Sequence, residues 1–309
     1  ADHPLLGAAV ELPETGAVVL TGRLSLRTHP WLADHAVMGT VLLPGTAFVE
    51  LALHAGDQAG CDRIEELTLE APLAVPENGG VLLRLSVGPD DDGDGRRTLT
   101  LHSRLESATA DDPWVRHATG VLAEGARTPS FDLSVWPPEG AEPVAADVAG
   151  LYEGLAASGF GYGPVFRGLT AAWRLGDDLF AEVSLPEGSD ADADTGRFVV
   201  HPALLDAALH ALGLREEGSD GPGRLPFSFA GVSALASGAD ALRVRLRPVG
   251  ASEVTLEAAD RSGAPVAVVE RLALRAVSPE QLRGPGGGAG ESLFGVEWVP
   301  VEVVSGAEP

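Results

Sequence analysis

Two short segments constrain this chain more than any other feature. Residues 46–55 and 202–214 are apolar on nearly every helical face, so each predicts a helix buried from all sides. Such a helix needs a wall around it, and each is followed by about four segments with strand character. After the first come residues 66–73, 81–87, 98–105 and 114–122. After the second come 227–235, 242–247, 254–258 and 266–274. The run LRVRLR alternates strictly, with Leu242, Val244 and Leu246 on one face and three arginines on the other. Further strands are predicted over 17–26, 169–175 and 179–185. A helix over 147–158 would carry Val148, Leu151, Tyr152 and Leu155 on one face. The repeated element order predicts an α+β fold with two antiparallel sheets side by side, each wrapped around a central helix.

The boundaries follow from where periodicity fails. Residues 1–130 form the first unit. Residues 131–146, with WPPEGAEP, read as a linker. Residues 147–278 form the second unit. Within 279–309, PGGGAG is a flexible linker and SLFGVEWVPVEV a strand-like run without a partner, expected to open the next region of a larger polypeptide. The acidic run at 90–95 lacks the ligand spacing and closing Glu of an EF-hand, so a solvated hairpin tip is expected there.

Composition excludes several functions. The net charge is −24 and every basic residue is Arg. An acidic surface is a poor match for nucleic acid or an anionic membrane. Without lysine there is no Schiff-base chemistry and no P-loop lysine. Cys61 is alone, which excludes an internal disulfide and a cysteine-rich metal site. No stretch has the length of a membrane span and no secretory signal opens the chain, so a soluble, cytoplasmic protein is expected.

Three places set polar groups among apolar ones. In HAVMGTVLLPGTAF, His35 precedes an apolar run, with Gly39 allowing close approach and Pro44-Gly45 opening a helix. In GFGYGPVFRGL, glycines surround Tyr162 and Gly163-Pro164 makes a turn, so Tyr162 is either a core residue or a phenol delivered to a pocket. In HPALLDAALHAL, Asp206 and His210 share a helix face. They form a surface polar pair or a working acid whose pKa desolvation raises. A metal site with His201 is the weaker alternative, because His201 and Asp206 do not share a face. The remaining histidines read as structural or solvent-facing. No nucleophile elbow, dinucleotide fingerprint or Walker loop is present.

A base and a neutral acid facing each other across an apolar slot suit removal of a proton α to a carbonyl with loss of a β-hydroxyl. Hydroxide leaves poorly unless protonated. The developing enolate needs donors, which a helix N-terminus near Gly45 would supply.

Together these motifs resemble the dehydratase domains of modular type I polyketide synthases. The family's H-x-x-x-G-x-x-x-x-P is matched by His35, Gly39 and Pro44, and its GYxYGPxF element by residues 159–166. Its D-x-x-x-(Q/H) element is matched by Asp206 and His210, and an LPFSW-like run by 225–229. Phe160, Arg167 and Phe229 depart from the commoner Tyr, Gln and Trp without removing a catalytic group. The resemblance implies a double-hotdog fold and dehydration of a (3R)-3-hydroxyacyl thioester to an enoyl thioester. It implies His35 as base and Asp206 as acid, with Tyr162 and His210 supporting. No cofactor of its own is implied, because the substrate rides on the phosphopantetheine of an acyl carrier protein. Expected partners are that carrier, docked through an arginine patch such as Arg271 or Arg275, neighbouring synthase domains and a second copy in a homodimer. Double-bond migration or ring closure, and a catalytically silent scaffold, are the competing readings.

Overall fold

The structure, a computed structural model, describes residues 3–90, 92–126, 131–144, 148–189, 191, 194–214 and 224–276. The first half contains β1 (Ala8–Leu12), β2 (Ala17–Leu24), β3 (His35–Val37), β4 (Thr40–Val41), α1 (Gly45–Gln58), β5 (Arg63–Leu69), β6 (Val81–Val87), β7 (Arg96–Leu105) and β8 (Val115–Ala123). The second contains β9 (Glu142–Pro143), α2 (Val148–Ala157), β10 (Phe160–Tyr162), β11 (Leu169–Leu175), β12 (Asp178–Ser184), α3 (Pro202–His210), β13 (Arg224–Ala234), β14 (Ala241–Pro248), β15 (Glu253–Ala259) and β16 (Pro265–Ala276).

Both all-round apolar helices are where the sequence puts them, and both are sheathed. In α1 every residue from Thr46 to Ala52 is buried, and in α3 every residue from Pro202 to Ala208. The helical stretch predicted to 214 ends at His210 and tightens into a 3₁₀ turn over Ala211–Leu214. Strands β2, β6, β7, β8 and β5 curve around α1, and β13, β16, β15, β14, β12 and β11 around α3, which is the double hotdog. The two sheets are not separate, however. β5 pairs with β13 (Thr68 opposite Ser228, Ile64 opposite Val232), which makes one antiparallel 13-stranded sheet. That edge-to-edge union satisfies backbone groups that two free edges would leave open, and one apolar core runs through both halves.

The segment expected as a linker is packed as far as it is described. Phe131, Leu133 and Trp136 lie over the outer face of the second sheet, and β9 extends the edge of that sheet beside β11. Phe180 points away from the side where Leu179 and Ala181 meet the main core, and joins Leu133 and Ala259 in a second apolar cluster. Trp136 sets its ring against Trp173 and Phe180 at 5.6 and 5.9 Å, and Arg243 donates to the Leu133 carbonyl at 3.2 Å. The expected run beyond 278 lies outside the described residues. At the acidic hairpin tip, the Asp90 carboxylate accepts from the N–H groups of Asp94 and Gly95. Among the described residues no helix is long and apolar enough to cross a membrane.

A second, three-stranded sheet, β10–β3–β4, joins the halves again. Tyr162 lies opposite His35, Gly161 opposite Ala36 and Phe160 opposite Val37. Two of the polar sequence stretches are therefore antiparallel neighbours.

Candidate active site

His35 opens β3 directly after the 3₁₀ turn Pro30–Asp34, and its ring is buried. Its main chain and its side chain are both pinned by one residue. Leu42 N–H donates to the His35 carbonyl at 3.1 Å, and His35 Nδ1 donates to the Leu42 carbonyl at 2.9 Å. A carbonyl only accepts, so the ring proton sits on Nδ1 and Nε2 presents its lone pair. Burial lowers the His35 pKa below its ordinary 6.5 against the opposing pull of Asp206, so the imidazole is neutral.

Asp206 comes from the middle of α3, in the other half. Its Oδ2 lies 3.9 Å from His35 Nε2 and accepts from His210 Nε2 at 3.1 Å, one helical turn on. The sequence led us to expect desolvation to keep this carboxyl neutral. Burial does push it up, but the hydrogen bond and charge of His210, with His35, outweigh that and hold it below the usual carboxylate range. The resting group is thus a carboxylate.

The Tyr162 ring is buried 4.1 Å from the His210 ring and 5.6 Å from that of His35. Burial raises its phenol well above 10, so it stays protonated. Gly163 and Pro164 build the frame beside it. The Asp34 carbonyl accepts from Gly163 N–H at 2.8 Å and its carboxylate from Val165 N–H at 2.9 Å. A Cβ on Gly163 would collide with the Asp34 carboxylate, which Val165 N–H holds in place, so the turn favours glycine. The Pro164–Phe166 turn then places the Phe166 ring 5.0 Å from His35.

Pro44 caps α1, and Gly45, its first residue, is pressed against Pro226 and Leu69. Thr46 donates from Oγ1 to the Pro202 carbonyl at 2.9 Å, which ties the N-terminal ends of the two central helices together. Gly39 does not make room for a ligand. It sits exposed in the β3–β4 turn with φ of 79°, after Met38 at 49°, and its requirement is the left-handed turn. His201 is not with Asp206 and His210 either. Its Nδ1 accepts from Ala203 N–H at 3.2 Å as the N-cap of α3, and its ring packs against Trp31 and Phe198. Among the described residues no three His, Cys, Asp or Glu side chains are arranged to hold a metal ion.

His35 and Asp206 meet at the inner end of a cavity of about 370 Å³. Its walls are apolar, with Leu42, Phe48, Leu69, Ala71, Pro226 and Phe227 among them, and Gly45 contributes helix N-terminus. The exposed rim carries Glu70 and Arg275, the latter stacked 3.7 Å over the Phe227 ring. Tyr162, Gly163, Pro164 and His210 stand behind the pair rather than in the wall. Three residues were missed. Tyr152, read only as a core residue on its helix, reaches His210. Asp34 clamps the Gly163 turn. Glu50, buried in α1, accepts from the N–H groups of Val199 and Val200 just before α3. A carboxyl inside the apolar run of Ala47 to Ala52 was the available signal for it.

Comparison with known proteins identifies the family. The family model described as "Polyketide synthase dehydratase domain" matches residues 3–104, and "Polyketide synthase dehydratase N-terminal domain" matches 128–284. Polyketide synthase GfsA of Streptomyces halstedii is 58% identical over 98% of this chain, and pikromycin polyketide synthase component PikAII of Streptomyces venezuelae 52% over 100%. The chain spans only 4% and 8% of those two proteins. A solved structure from work on dehydratase substrate selection for the borrelidin and fluvirucin polyketide synthases is 50% identical. It covers 90% of this chain and 96% of its own, with a TM-score of 0.83. A bifunctional dehydratase-cyclase domain from ambruticin biosynthesis is 43% identical over 93% of this chain and 100% of its own, also at 0.83. The chain therefore belongs to the dehydratase-domain family of polyketide synthases, hydro-lyases that act on hydroxyacyl thioesters.

Proposed function

We propose that this domain removes water from a (3R)-3-hydroxyacyl thioester held on the phosphopantetheine of an acyl carrier protein, with His35 as base and Asp206 as acid. The observation that carries the reading is the opposed pair. An uncharged imidazole with a bare Nε2 faces a carboxyl 3.9 Å away at the inner end of an apolar cavity. In this reading the acyl chain lies along the apolar wall with its thioester toward the rim. Nε2 takes the α-proton, and charge grows on the thioester oxygen beside the N-terminus of α1 at Gly45, where backbone N–H groups lack intrahelical partners. The β-oxygen leaves as water once the Asp206 side delivers a proton to it. A base, an acid and a helix terminus suffice, so the domain calls for no cofactor of its own.

The carrier and the neighbouring domains of one polypeptide are the expected partners, with a second copy in a homodimer and the cytoplasm as the setting. Arg275 lines the cavity, which supports it over Arg271 as the arginine that meets an acidic carrier. A second reading, ring closure on the enoyl product, draws on the similarity to the dehydratase-cyclase domain. Incubation with a 3-hydroxyacyl thioester, followed by mass spectrometry and proton NMR of the product, tests both. Loss of water is expected, and an unchanged thioester would refute the assignment. A product that loses water and then forms a ring without further mass change would favour the second reading.

A further inference from the structure

A carboxylate held below its usual range is a poor proton donor, so the proton for the departing oxygen must be kept somewhere near Asp206. Behind it His210 offers two nitrogens: Nε2 at 3.1 Å from Asp206 Oδ2, and Nδ1 at 3.3 Å from the Tyr152 hydroxyl. That hydroxyl has two further neighbours. Leu169 N–H donates to it at 3.3 Å, and the Phe166 carbonyl is 3.5 Å away. A phenol has one proton and two lone pairs. Leu169 occupies one lone pair, which leaves a lone pair and a proton to distribute. When Nδ1 is bare, the phenol donates to it. When Nδ1 carries a proton, Nδ1–H donates to the phenol oxygen and the phenol proton turns to Phe166. A doubly protonated ring that gives its Nε2 proton to Asp206 keeps Nδ1–H on the phenol oxygen, so Tyr152 serves as acceptor both before and after release. Tyr152 itself stays protonated in either arrangement, because burial pushes its pKa to about 12.

We propose that His210 stores the proton that Asp206 hands to the leaving hydroxyl, and that Tyr152 is the positioning residue that lets the ring hold or release it. The proposal rests on the dehydratase reading above. In the step, the Cα–H electron pair becomes the Cα=Cβ bond and the α-proton goes to His35 Nε2. The Cβ–O pair leaves with oxygen, and the Nε2 proton of the doubly protonated His210 passes through the Asp206 carboxylate to that oxygen, giving water and leaving a ring protonated on Nδ1 alone. His35 returns its proton toward Asp206 across the 3.9 Å gap, so a turnover consumes no net proton. The groups facing His210 are Asp206 on its own helix, Tyr152 on α2, Tyr162 on β10 and His35 on β3. Arg167 reaches over the Tyr152 ring at 5.7 Å but donates to the Tyr162 carbonyl.

The test is the pH dependence of kcat and KM for dehydration of a 3-hydroxyacyl N-acetylcysteamine thioester. The domain is compared with Tyr152→Phe, His210→Gln and the double variant, with circular dichroism to check folding. A glutamine amide still donates to Asp206 but stores no proton. A phenylalanine leaves a protonated Nδ1 without an acceptor, which disfavours the loaded ring. Each single variant is expected to lose roughly tenfold in kcat at neutral pH with little change in KM. Each should also move the alkaline limb of the kcat profile to lower pH, since the stored proton is then lost sooner. The double variant should be no slower than the slower single one, because Tyr152 acts through His210. An unmoved alkaline limb in His210→Gln, or multiplied losses in the double variant, overturns the relay. If Tyr152→Phe does not fold, His210→Gln decides alone. A domain that fails to dehydrate at all, or whose His35→Ala variant stays active, removes the dehydratase reading and the relay with it. The variant profiles cannot produce that result.

Discussion

The two halves hold the proposed base and the proposed acid in different ways. His35 is fixed by main chain: both hydrogen bonds that orient it go to Leu42, and the strand that carries it is paired on both sides. Asp206 is fixed by side chains, through His210 and behind that Tyr152. A backbone frame has one geometry and little to tune. A side-chain chain of contacts can be adjusted by substitution at each link. The base should therefore be robust to everything except changes in its own fold, and the acid should be sensitive to residues that never meet the substrate.

The largest expected effect tests whether the two are equal partners at all. His35→Ala and Asp206→Ala should each slow water loss by roughly 10²–10⁴ while the circular dichroism spectrum persists. A variant that keeps near-normal turnover would break the pairing. Next comes the frame of the base. In Gly163→Ala the new methyl collides with Asp34, one residue before His35, and should cost about 3 kcal/mol in urea unfolding. A loss below about 0.5 kcal/mol would mean the frame is looser than its hydrogen bonds imply.

The frame of the acid has a pH signature. His201 caps α3 as a neutral acceptor, and burial lowers its pKa from 6.5 to about 4. The unfolded chain takes up that proton near pH 6.5, whereas the folded one refuses it until about 4. Stability is therefore complete above 6.5 and declines as pH falls toward 4, by up to about 3 kcal/mol. His201→Asn keeps a capping oxygen and removes the titration, so its melting temperature should fall less between pH 7 and pH 4.5. Parallel curves would assign the acid lability to other histidines. The smallest effect is expected at the tie between the helices. Thr46→Val deletes one hydrogen bond and should cost about 1 kcal/mol in unfolding with a modest drop in kcat.

Much of this fold was legible because period is a strong signal. The predicted strands over 81–87 and 169–175 have the observed ends, and LRVRLR faces as its alternation says. The pieces that failed are short or non-local. β3, β4 and β10 are three, two and three residues long, too few to show alternation, and they exist because Asp34, Gly159 and Leu42 hold their ends. The packed strap at 131–144 has no period, because its apolar residues fill gaps on a sheet formed elsewhere. His35, Asp206 and His210 stood out as polar residues in apolar runs. The charge state of Asp206 did not, because the sequence shows both its desolvation and its pairing with His210 but not that the His210 hydrogen bond and charge, with His35 adding to them, outweigh burial. Gly39 was misread for a related reason: a glycine near a histidine looks like space, and here it is a turn.

The strand pair that crosses between the halves also decides where this molecule can be cut. β3 is encoded early and its neighbour β10 more than a hundred residues later, with α1 and the strands β4 to β9 between them. An engineer who grafts only the front half onto another synthase inherits a base whose adjoining strand belongs to someone else. Supplying the halves as two polypeptides would make His35 wait on an encounter between chains before it is framed. Recombination points outside residues 3–276 keep the two strands in one inheritance, and with them the spacing on which the base depends.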